Sequence, residues 1–243
     1  MVLNVAEGTG TRTRASTDPM IRLTDVIRVY RDGESETIAL RGIDLDIRRG
    51  EIVAIMGRSG SGKSTLLQLI AASDTPTAGQ VVIDGVDVSR ATESERGALR
   101  GRKIGLVFQR QNLVPFLNLT ENVQLAATLA GVPVDAQTAR AGLARVGLEA
   151  RADGRPGQLS GGEQQRAALA VVIVTHPTIL LADEITGELD SASAAALLDL
   201  VLDIHEIDGT TVVLATHDPI VAARADRIVE LRDGRVVADG VAR

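Results

Sequence analysis

One nine-residue stretch, GRSGSGKST at residues 57–65, constrains this chain more than any other feature. The apolar run EIVAIM precedes it and the breaker-free run KSTLLQLIAA overlaps its end, which predicts a buried parallel strand, a glycine-rich loop and a helix. Loop glycines let backbone N–H groups curl around phosphate oxygens, and the helix N-terminus adds a favourable dipole. The pattern therefore predicts a nucleotide phosphate site formed by Gly57, Arg58, Ser59, Gly60, Ser61, Gly62, Lys63, Ser64 and Thr65.

The lysine of this loop is unusual for the chain. Lys63 and Lys103 are its only two lysines among 26 basic residues, and all the others are arginines. A planar guanidinium is longer and bulkier than an ammonium group and would not fit inside such a loop. We therefore expect Lys63 to reach the β- and γ-phosphates of the nucleotide.

Length and composition limit the class of protein. A chain of 243 residues, 44% of them hydrophobic, is long enough for one well-buried domain. The net charge of −6 and the lack of a basic tract argue against a nucleic-acid partner. With no cysteine, the chain has neither disulfides nor cysteine metal sites.

Neither the N-terminal residues nor the most apolar run of the sequence predicts a membrane segment. Residues 1–20 are rich in Gly, Thr and Arg, have no apolar core of the kind a signal peptide needs, and are predicted to form a flexible N-terminal arm. The most apolar run, residues 167–174, falls far short of the ~20 residues that span a bilayer. The chain is not expected to cross a membrane by itself.

Two carboxylates follow a second apolar run. The segment TILLADE ends in Asp183 and Glu184. A buried parallel strand presents such residues at its carboxyl end, where phosphoryl transfer uses carboxylates to hold magnesium and to orient the attacking water. Taken alone, the segment also fits a core strand that ends in an acidic turn.

The segment LSGGEQQR, residues 159–166, is the most specific feature after the loop. Ser160 suits an N-cap, and the glycines that follow it expose backbone donors at the start of a helix. With this segment placed between the loop and the second acidic strand, the chain resembles the ATP-binding cassette (ABC) ATPases. The resemblance covers residues 21 to about 240.

The resemblance implies a fold and a domain organisation. The fold is α/β: a P-loop NTPase core of the ABC type with an antiparallel β-subdomain and an inserted α-helical lobe at about residues 109–175. The cassette takes up residues 21–243. The alternating pattern of residues 21–49 agrees with an N-terminal hairpin around the turn RDGESE, and a second hairpin is expected around Asp233 and Gly234.

Four further residues match motifs of the family in order and spacing. By resemblance, Tyr30 stacks on adenine and Gln109 is the glutamine of the Q-loop. Asp190 closes the D-loop, and His217 is the switch histidine that contacts the γ-phosphate. Each is weak evidence alone, since a lone Tyr, Gln or His more often has a structural role.

The resemblance also implies a mechanism. Ser64, Gln109 and Asp183 would hold Mg²⁺, with Gln109 completing the catalytic site, and Glu184 would act as the general base. Two ATP sites would form between two cassettes placed head to tail. The signature residues of one cassette would then act on the ATP of the other; they are Ser160, Gly161, Gly162 and Glu163.

One chain carries one loop and one signature, so the resemblance implies a dimer, with a second copy as the expected partner. It also implies a separate transmembrane permease that holds the cassette at the cytoplasmic face of the cell membrane. The segments RQNLVPFLNLTENV and LLADEITGELD are similar to the branch for lipoprotein release and macrolide or peptide export (LolD/MacB-type). The transported substrate is left open by the sequence.

At two positions the sequence departs from the usual pattern of the family. Ile185 stands where the family usually has proline, and Val171 where it usually has arginine. Because proline fixes φ, Ile185 is expected to loosen the turn into the D-loop, and activity could be reduced. The alternatives are a nucleotide-gated clamp with little hydrolysis and an ABC protein that acts on ribosomes or DNA ends rather than in transport.

Overall fold

Strands and helices alternate along the chain in the computed structural model, which describes residues 19–33, 35–109 and 112–242. Most of the predicted arm, residues 1–18, lies outside the described residues. Short 3₁₀ turns occur at Glu149–Arg151 and Pro156–Gln158. The other elements are β1 (Ile21–Asp32), β2 (Ser35–Ile47), β3 (Ile52–Met56), α1 (Lys63–Ile70), β4 (Ala78–Ile83), β5 (Val86–Asp87), α2 (Glu93–Lys103), β6 (Ile104–Val107), α3 (Leu119–Leu129), α4 (Ala136–Arg145), α5 (Gly161–Ile173), β7 (Ile179–Asp183), α6 (Ser191–Asp208), β8 (Thr211–Thr216), α7 (Pro219–Ala222), β9 (Arg227–Arg232) and β10 (Arg235–Val241).

The larger of two sheets positions the loops that carry the motifs. Its strand order is β10-β9-β3-β8-β7-β6, and its strands are parallel except for β10, which pairs antiparallel with β9. In this register Met56 lies opposite Thr216, and Asp183 lies opposite Ala215. The loops after β3, β7 and β8 therefore leave the sheet at one edge, which is where open parallel sheets bind ligands.

Both faces of the larger sheet are buried. Along β3, Ile52 and Ala54 pack into a core with helices α3 to α6, whereas Val53 and Ile55 pack into a second core with α1 and the smaller sheet. Successive strand residues point to opposite faces, so an apolar strand without alternation is buried on both sides. The buried parallel strand predicted before the glycine loop is confirmed.

The smaller sheet is antiparallel, with the order β2-β1-β4-β5. It confirms the predicted N-terminal hairpin, but the turn is shorter than RDGESE because β1 continues to Asp32 and β2 begins at Ser35. The strands β4 and β5 were not predicted. β5 has only two residues, which is too short for an alternating pattern to show.

Helices α3, α4 and α5 pack together on one side of the larger sheet. The side chains of Asn118 and Ser160 each accept a hydrogen bond from a backbone N–H three residues on, and Glu121 and Glu163 return the contact in capping boxes. Helix α3 ends just before Gly131, whose φ is 77°. The predicted N-cap at Ser160 and the predicted helical pattern are confirmed.

The most apolar run of the sequence, residues 167–174, begins inside α5 and ends at its C-cap. Helix α5 has 13 residues. Across the described ranges, no helix combines the length and the apolar character that crossing a bilayer requires.

Candidate functional site: a phosphate loop, two carboxylates and a histidine

The glycine loop between β3 and α1 is tightly packed beneath its exposed tip. A Cβ at Gly57 would lie 2.4 Å from the Leu231 carbonyl oxygen, and a Cβ at Gly62 would lie 2.7 Å from the Ala39 carbonyl oxygen. Gly62 also has a φ of 106°, which L side chains rarely adopt. Residues 58–60 are exposed, so the loop presents its outer face to solvent.

The closing hairpin of the chain supports the loop from below. The Gly234 N–H donates to the Ser61 carbonyl oxygen at 3.0 Å, and the Arg41 N–H donates to the Gly234 carbonyl oxygen at 2.8 Å. The predicted turn around Asp233 and Gly234 is thus confirmed. It also has a role that the sequence did not indicate, since it connects the loop to β2.

Lys63 lies inside the loop and is only 5% exposed. Its Nζ donates to the Gly57 carbonyl oxygen at 2.8 Å and to the Arg58 carbonyl oxygen at 3.3 Å. The same Nζ lies 3.3 Å from Glu184 Oε1. A compact ammonium can meet three acceptors around one point, which explains a lysine rather than an arginine at this position.

Glu184 connects Lys63 to His217. Its Oε1 faces the lysine, and its Oε2 lies 3.1 Å from His217 Nδ1. The Glu184 backbone has a φ of 49°, an uncommon conformation for a residue other than glycine. The next residue, Ile185, lacks the proline ring that would push residue 184 towards extended conformations. The loops after β3, β7 and β8 thus bring a cation, a carboxylate and an imidazole into contact.

Ile185 and Val171, the two departures from the family pattern, both have apolar surroundings. Ile185 is 5% exposed and belongs to the core that α5 and α6 share, and Val171 packs against that core. The turn that follows Glu184 is held by the Gly187 N–H, which donates to the Glu184 carbonyl oxygen at 3.0 Å. The expected loosening of this turn stays a prediction.

Asp183, at the end of β7, has the properties of a magnesium ligand. Its Oδ1 is buried and has no hydrogen-bond partner. Burial raises the pKa of the Asp183 carboxyl, the Ser64 hydroxyl beside it lowers the pKa, the Glu184 carboxylate raises it, and Lys63 lowers it. Carboxylate and hydroxyl oxygens are the protein ligands that Mg²⁺ prefers. Asp183 and Ser64 therefore fit the metal that the sequence predicted.

Replacing Asp183 by Asn should stabilise the chain in the absence of nucleotide. A carboxyl whose pKa is raised by folding destabilises the folded protein increasingly as the pH rises above its usual pKa, and fully above the raised pKa, because the charged form is buried at a cost. The neutral amide removes that cost. Differential scanning fluorimetry at pH 7.5 without nucleotide should show Asp183→Asn melting ~2–4 °C higher, the shift that about 1 kcal/mol produces in a domain of this size.

A wild-type melting point for Asp183→Asn would contradict this assignment of a destabilising buried charge. The same variant should lose the stabilisation that MgATP gives to the wild type, since a ligand stabilises only the state to which it binds. A gain in stability without ligand, paired with a loss of response to ligand, is typical of functional sites.

Tyr30 lies beside α1 at the end of β1. Its hydroxyl is 3.1 Å from Asp74 Oδ2 and 3.3 Å from Gln68 Oε1, and the Arg28 guanidinium lies 4.5 Å above the ring. Arg28 in turn pairs with Asp74 at 2.8 Å. These contacts fix the ring and cover one of its faces, so that an adenine would have to stack on the opposite face.

Gln109 follows β6, and its side chain lies against the turn after β7. Its Nε2 is 3.5 Å from Glu188 Oε1. The same nitrogen lies 3.2 Å from the point that a Cβ would occupy if Gly187 carried a side chain. The structure therefore places Gln109 beside the D-loop turn. The role of Gln109 as a magnesium ligand together with Ser64 and Asp183 stays a prediction.

The signature segment and the D-loop pack on one another. A Cβ added at Gly162 would lie 3.3 Å from Ser193 Oγ. A Cβ added at Gly161 would lie 3.8 Å from the Leu189 side chain. Asp190 caps α6 by accepting hydrogen bonds from the N–H groups of Ala192 and Ser193. A Cβ at Gly161 would make only an ordinary contact, whereas a Cβ at Gly162 would crowd Ser193, so the close approach of α5 to the start of α6 favours glycine at position 162.

Two side-chain amides at this site were missed by the sequence analysis. Asn112 accepts a hydrogen bond from the Phe108 N–H at 2.8 Å and donates to the Phe108 carbonyl oxygen at 2.6 Å. Gln165, on α5, donates to the Gln109 carbonyl oxygen at 2.5 Å. Nothing in the local sequence indicates these contacts, because each depends on which backbone groups the fold places opposite the amide.

Comparison with known proteins agrees with this geometry. A family model described as ABC transporter matches residues 40–187, and the chain belongs to this family. The chain is 46% identical over 225 residues to the macrolide export ATP-binding/permease protein MacB of Hyphomonas neptunium, covering 92% of this chain and 35% of that protein. It is 48% identical over 223 residues to MacB 1/2 of Paracoccus denitrificans, covering 91% and 33%. The chain thus spans about a third of the length of these relatives.

Solved structures of cassettes match over a larger share of their length. The dimeric ATP-binding cassette MJ0796 bound to ADP and Pi superposes with a TM-score of 0.86 at 40% identity, covering 92% of this chain and 99% of that one. CbiO1 of Clostridium perfringens, part of the transporter complex CbiONQ, gives a TM-score of 0.81 at 28% identity, covering 93% and 89%. The predicted α/β fold class and the predicted cassette of the ABC family are confirmed.

Proposed function

We propose that this chain is the ATP-hydrolysing subunit of an export or extraction transporter, working as a homodimer beneath a transmembrane permease at the cytoplasmic face of the membrane. Lipoproteins, peptides or macrolides are the substrate classes that the related branch suggests. The observation that carries the proposal is the contact of Lys63, Glu184 and His217 at one edge of the sheet. These are the groups that bind a triphosphate and take a proton from water.

The loop residues have binding roles in this proposal. The loop 57–65 wraps the phosphates with its backbone N–H groups, and Lys63 exchanges its carbonyl partners for β- and γ-phosphate oxygens. Tyr30 offers the free face of its ring to the adenine. When bound by Asp183, Ser64 and Gln109, Mg²⁺ would neutralise phosphate charge and orient the oxygens.

Glu184 is the general base of the proposed reaction. Its Oε2 faces His217, so the imidazole holds the carboxylate in place while Oε1 is left for a water molecule once Lys63 has turned to the phosphates. His217 is 62% exposed and can reach a γ-phosphate from the same position. Water attacks the γ-phosphorus and passes a proton to Glu184. The bond between the γ-phosphorus and the β–γ bridging oxygen breaks, which gives ADP and inorganic phosphate.

A homodimer completes each site in this proposal. The signature residues 160–163 lie at the exposed start of α5, where backbone donors and the helix dipole favour a phosphate. Support comes from the dimeric structures of the cassette MJ0796, to which this chain is similar. Within the chain, Asp190 and Ser193 hold the D-loop against the same signature glycines.

The permease would dock at the groove between the Q-loop and α5. This groove has a volume of about 420 Å³ and includes Gln109, Leu113, Pro115, Gln164 and Leu189 among its lining residues. Phe116, beside it, is 72% exposed, whereas Leu117 is partly buried. Phe116 therefore does not fill the core of the lobe, and a large exposed aromatic of this kind suits an interface anchor. The names of the MacB relatives, which pair an ATP-binding part with a permease, support such a partner.

Replacing Phe116 by Asp should abolish docking without unfolding the chain. Since the side chain is exposed, a charge there leaves the melting point within about 1 °C of the wild type, whereas a charge in an interface core disfavours association. The chain would be co-expressed with a candidate permease subunit of the MacB type, and the two would be co-purified from detergent. A recovery of the membrane subunit reduced by at least ~10-fold is expected.

Ile207→Asp supplies the matched control, because Ile207 is 73% exposed on α6. It should co-purify at wild-type yield. Equal recovery with Phe116→Asp and with the wild type would rule out this docking surface. Stimulation of ATP hydrolysis by the membrane subunit in lipid vesicles, present in the wild type and lost in Phe116→Asp, would test the transport role directly.

A further inference from the structure

Gln165 connects the signature helix to the Q-loop. It lies in the second turn of α5, is 8% exposed, and extends its Nε2 to the Gln109 carbonyl oxygen at 2.5 Å and to the Phe108 carbonyl oxygen at 3.4 Å. Both acceptors are backbone groups of the segment that carries the Gln109 side chain. A movement of α5 along its axis is therefore transmitted to the Q-loop backbone.

The orientation of this amide is unambiguous. A rotation by 180° would place Gln165 Oε1 against two carbonyl oxygens, which repel it, so the nitrogen must face the Q-loop. The oxygen is then left on the far side, buried and without a hydrogen-bond partner. An unsatisfied buried acceptor destabilises a fold, and an apolar side chain of the same shape would avoid that cost. The amide nitrogen is thus directed at the Q-loop while the amide oxygen stays unsatisfied.

The segments that Gln165 connects are each held by further contacts. Asn112 makes two hydrogen bonds to the Phe108 backbone, so this part of the Q-loop is expected to move as one rigid segment. Four residues before Gln165 on the helix, Gly161 packs on Leu189 of the D-loop. The side chain of Gln109, beyond the pulled carbonyl, reaches Glu188 in the same D-loop turn.

We propose that Gln165 is a positioning residue that couples the two ATP sites of the dimer. This inference rests on the head-to-tail dimer of the proposed function. In that dimer the signature helix of a subunit serves one ATP and the Q-loop of the same subunit serves the other. Gln165 joins these two segments through its hydrogen bond to the Gln109 carbonyl oxygen. Binding of the signature to ATP at one site therefore shifts the position of Gln109 at the second site.

The test separates coupling from stability. Gln165→Met has nearly the same length and removes both the donor and the unsatisfied oxygen. The Gln109 carbonyl oxygen loses a donor, the Phe108 carbonyl oxygen keeps Asn112, and removal of the unsatisfied oxygen offsets the loss, so the melting point should stay within about 2 °C of the wild type. A purely structural glutamine would have no other effect. The coupling role predicts that steady-state ATP hydrolysis against MgATP concentration changes from a sigmoidal curve, with a Hill coefficient approaching about 2, to a hyperbolic curve with a coefficient of about 1.

Gln124→Met is the matched control. The Gln124 Nε2 also donates to a backbone carbonyl oxygen, that of Val134 at 3.2 Å, but both residues belong to the helical lobe. This variant should keep the wild-type Hill coefficient. Gln165→Glu supplies a second disruption, since a carboxylate faces the two carbonyl oxygens without a donor; it should lose cooperativity as well, with a lowered melting point.

Each outcome decides the inference. Loss of cooperativity in Gln165→Met with a retained melting point and unchanged Gln124→Met supports it. Wild-type cooperativity in Gln165→Met overturns it, as does a hyperbolic curve for the wild type itself. A wild type that hydrolyses no ATP contradicts the proposed function, which distinguishes that failure from a failure of the coupling role.

Discussion

Glu184→Gln should bind MgATP and hydrolyse it ~10²–10⁴-fold more slowly than the wild type, because an amide cannot take the proton from the attacking water. The amide keeps an oxygen for His217 and removes the charge that faces Lys63 at 3.3 Å. Unhydrolysed ATP should then hold two copies together. We expect phosphate release to fall to near background and gel filtration with MgATP to show a species of about twice the 25.5 kDa of one chain.

Glu206→Gln is the control for loss of a carboxylate, since Glu206 is exposed on α6. It should hydrolyse ATP at the wild-type rate and elute as the wild type does. If Glu184→Gln and the wild type are equally slow, the chain is a clamp rather than an ATPase. If Glu184→Gln stays monomeric with MgATP, the head-to-tail closure is wrong or needs the membrane subunit.

Lys63→Ala should weaken MgATP binding by at least ~30-fold, and Lys63→Arg should recover little of the loss. Removing one partner of a buried charged contact costs about 2–5 kcal/mol, which corresponds to this change. The side chain is 5% exposed and already meets two carbonyl oxygens, so a guanidinium has no room. Isothermal titration calorimetry with MgATP measures the dissociation constants directly.

The other lysine provides a matched comparison. Lys103 pairs with Asp84 at 3.3 Å and is 42% exposed, so Lys103→Ala should leave MgATP affinity unchanged. Circular dichroism of both variants establishes that the fold is retained. Tight MgATP binding by folded Lys63→Ala would mean that the loop 57–65 is not the phosphate site.

Sequence patterns predicted the parts of the molecule whose conformation is determined by residues that are neighbours in sequence. The strand, glycine loop and helix around residues 57–65 follow from apolar runs and from glycine, and the start of α5 follows from the capping tendency of Ser160. The hairpin around Gly234 follows from its turn residues. In each case the residues that determine the structure are neighbours in sequence.

The remainder depends on contacts between distant residues. No periodicity indicates that Arg28 covers one face of Tyr30, or that Gln165 meets the backbone of the Q-loop. The positive φ of Glu184 is likewise imposed by its surroundings, including the hydrogen bond from its N–H to the Ala215 carbonyl oxygen at 2.9 Å. Packing and long-range hydrogen bonds override local preference at such positions, and they concentrate at functional sites.

The position of β3 between β8 and β9 also bears on how the chain is made. Val212, the strand partner of Ile52, follows it by 160 residues, and the second neighbour of β3 begins later still. At ribosomal speeds of ~5–20 residues per second, β3 would be synthesised roughly 10–30 s before either neighbour exists. During that interval its apolar residues have no sheet to join, and the glycine loop has no Gly234 beneath it. ATP can therefore assist folding only at the end of synthesis, and an incomplete chain that ends before β8 would have no means of forming the nucleotide site.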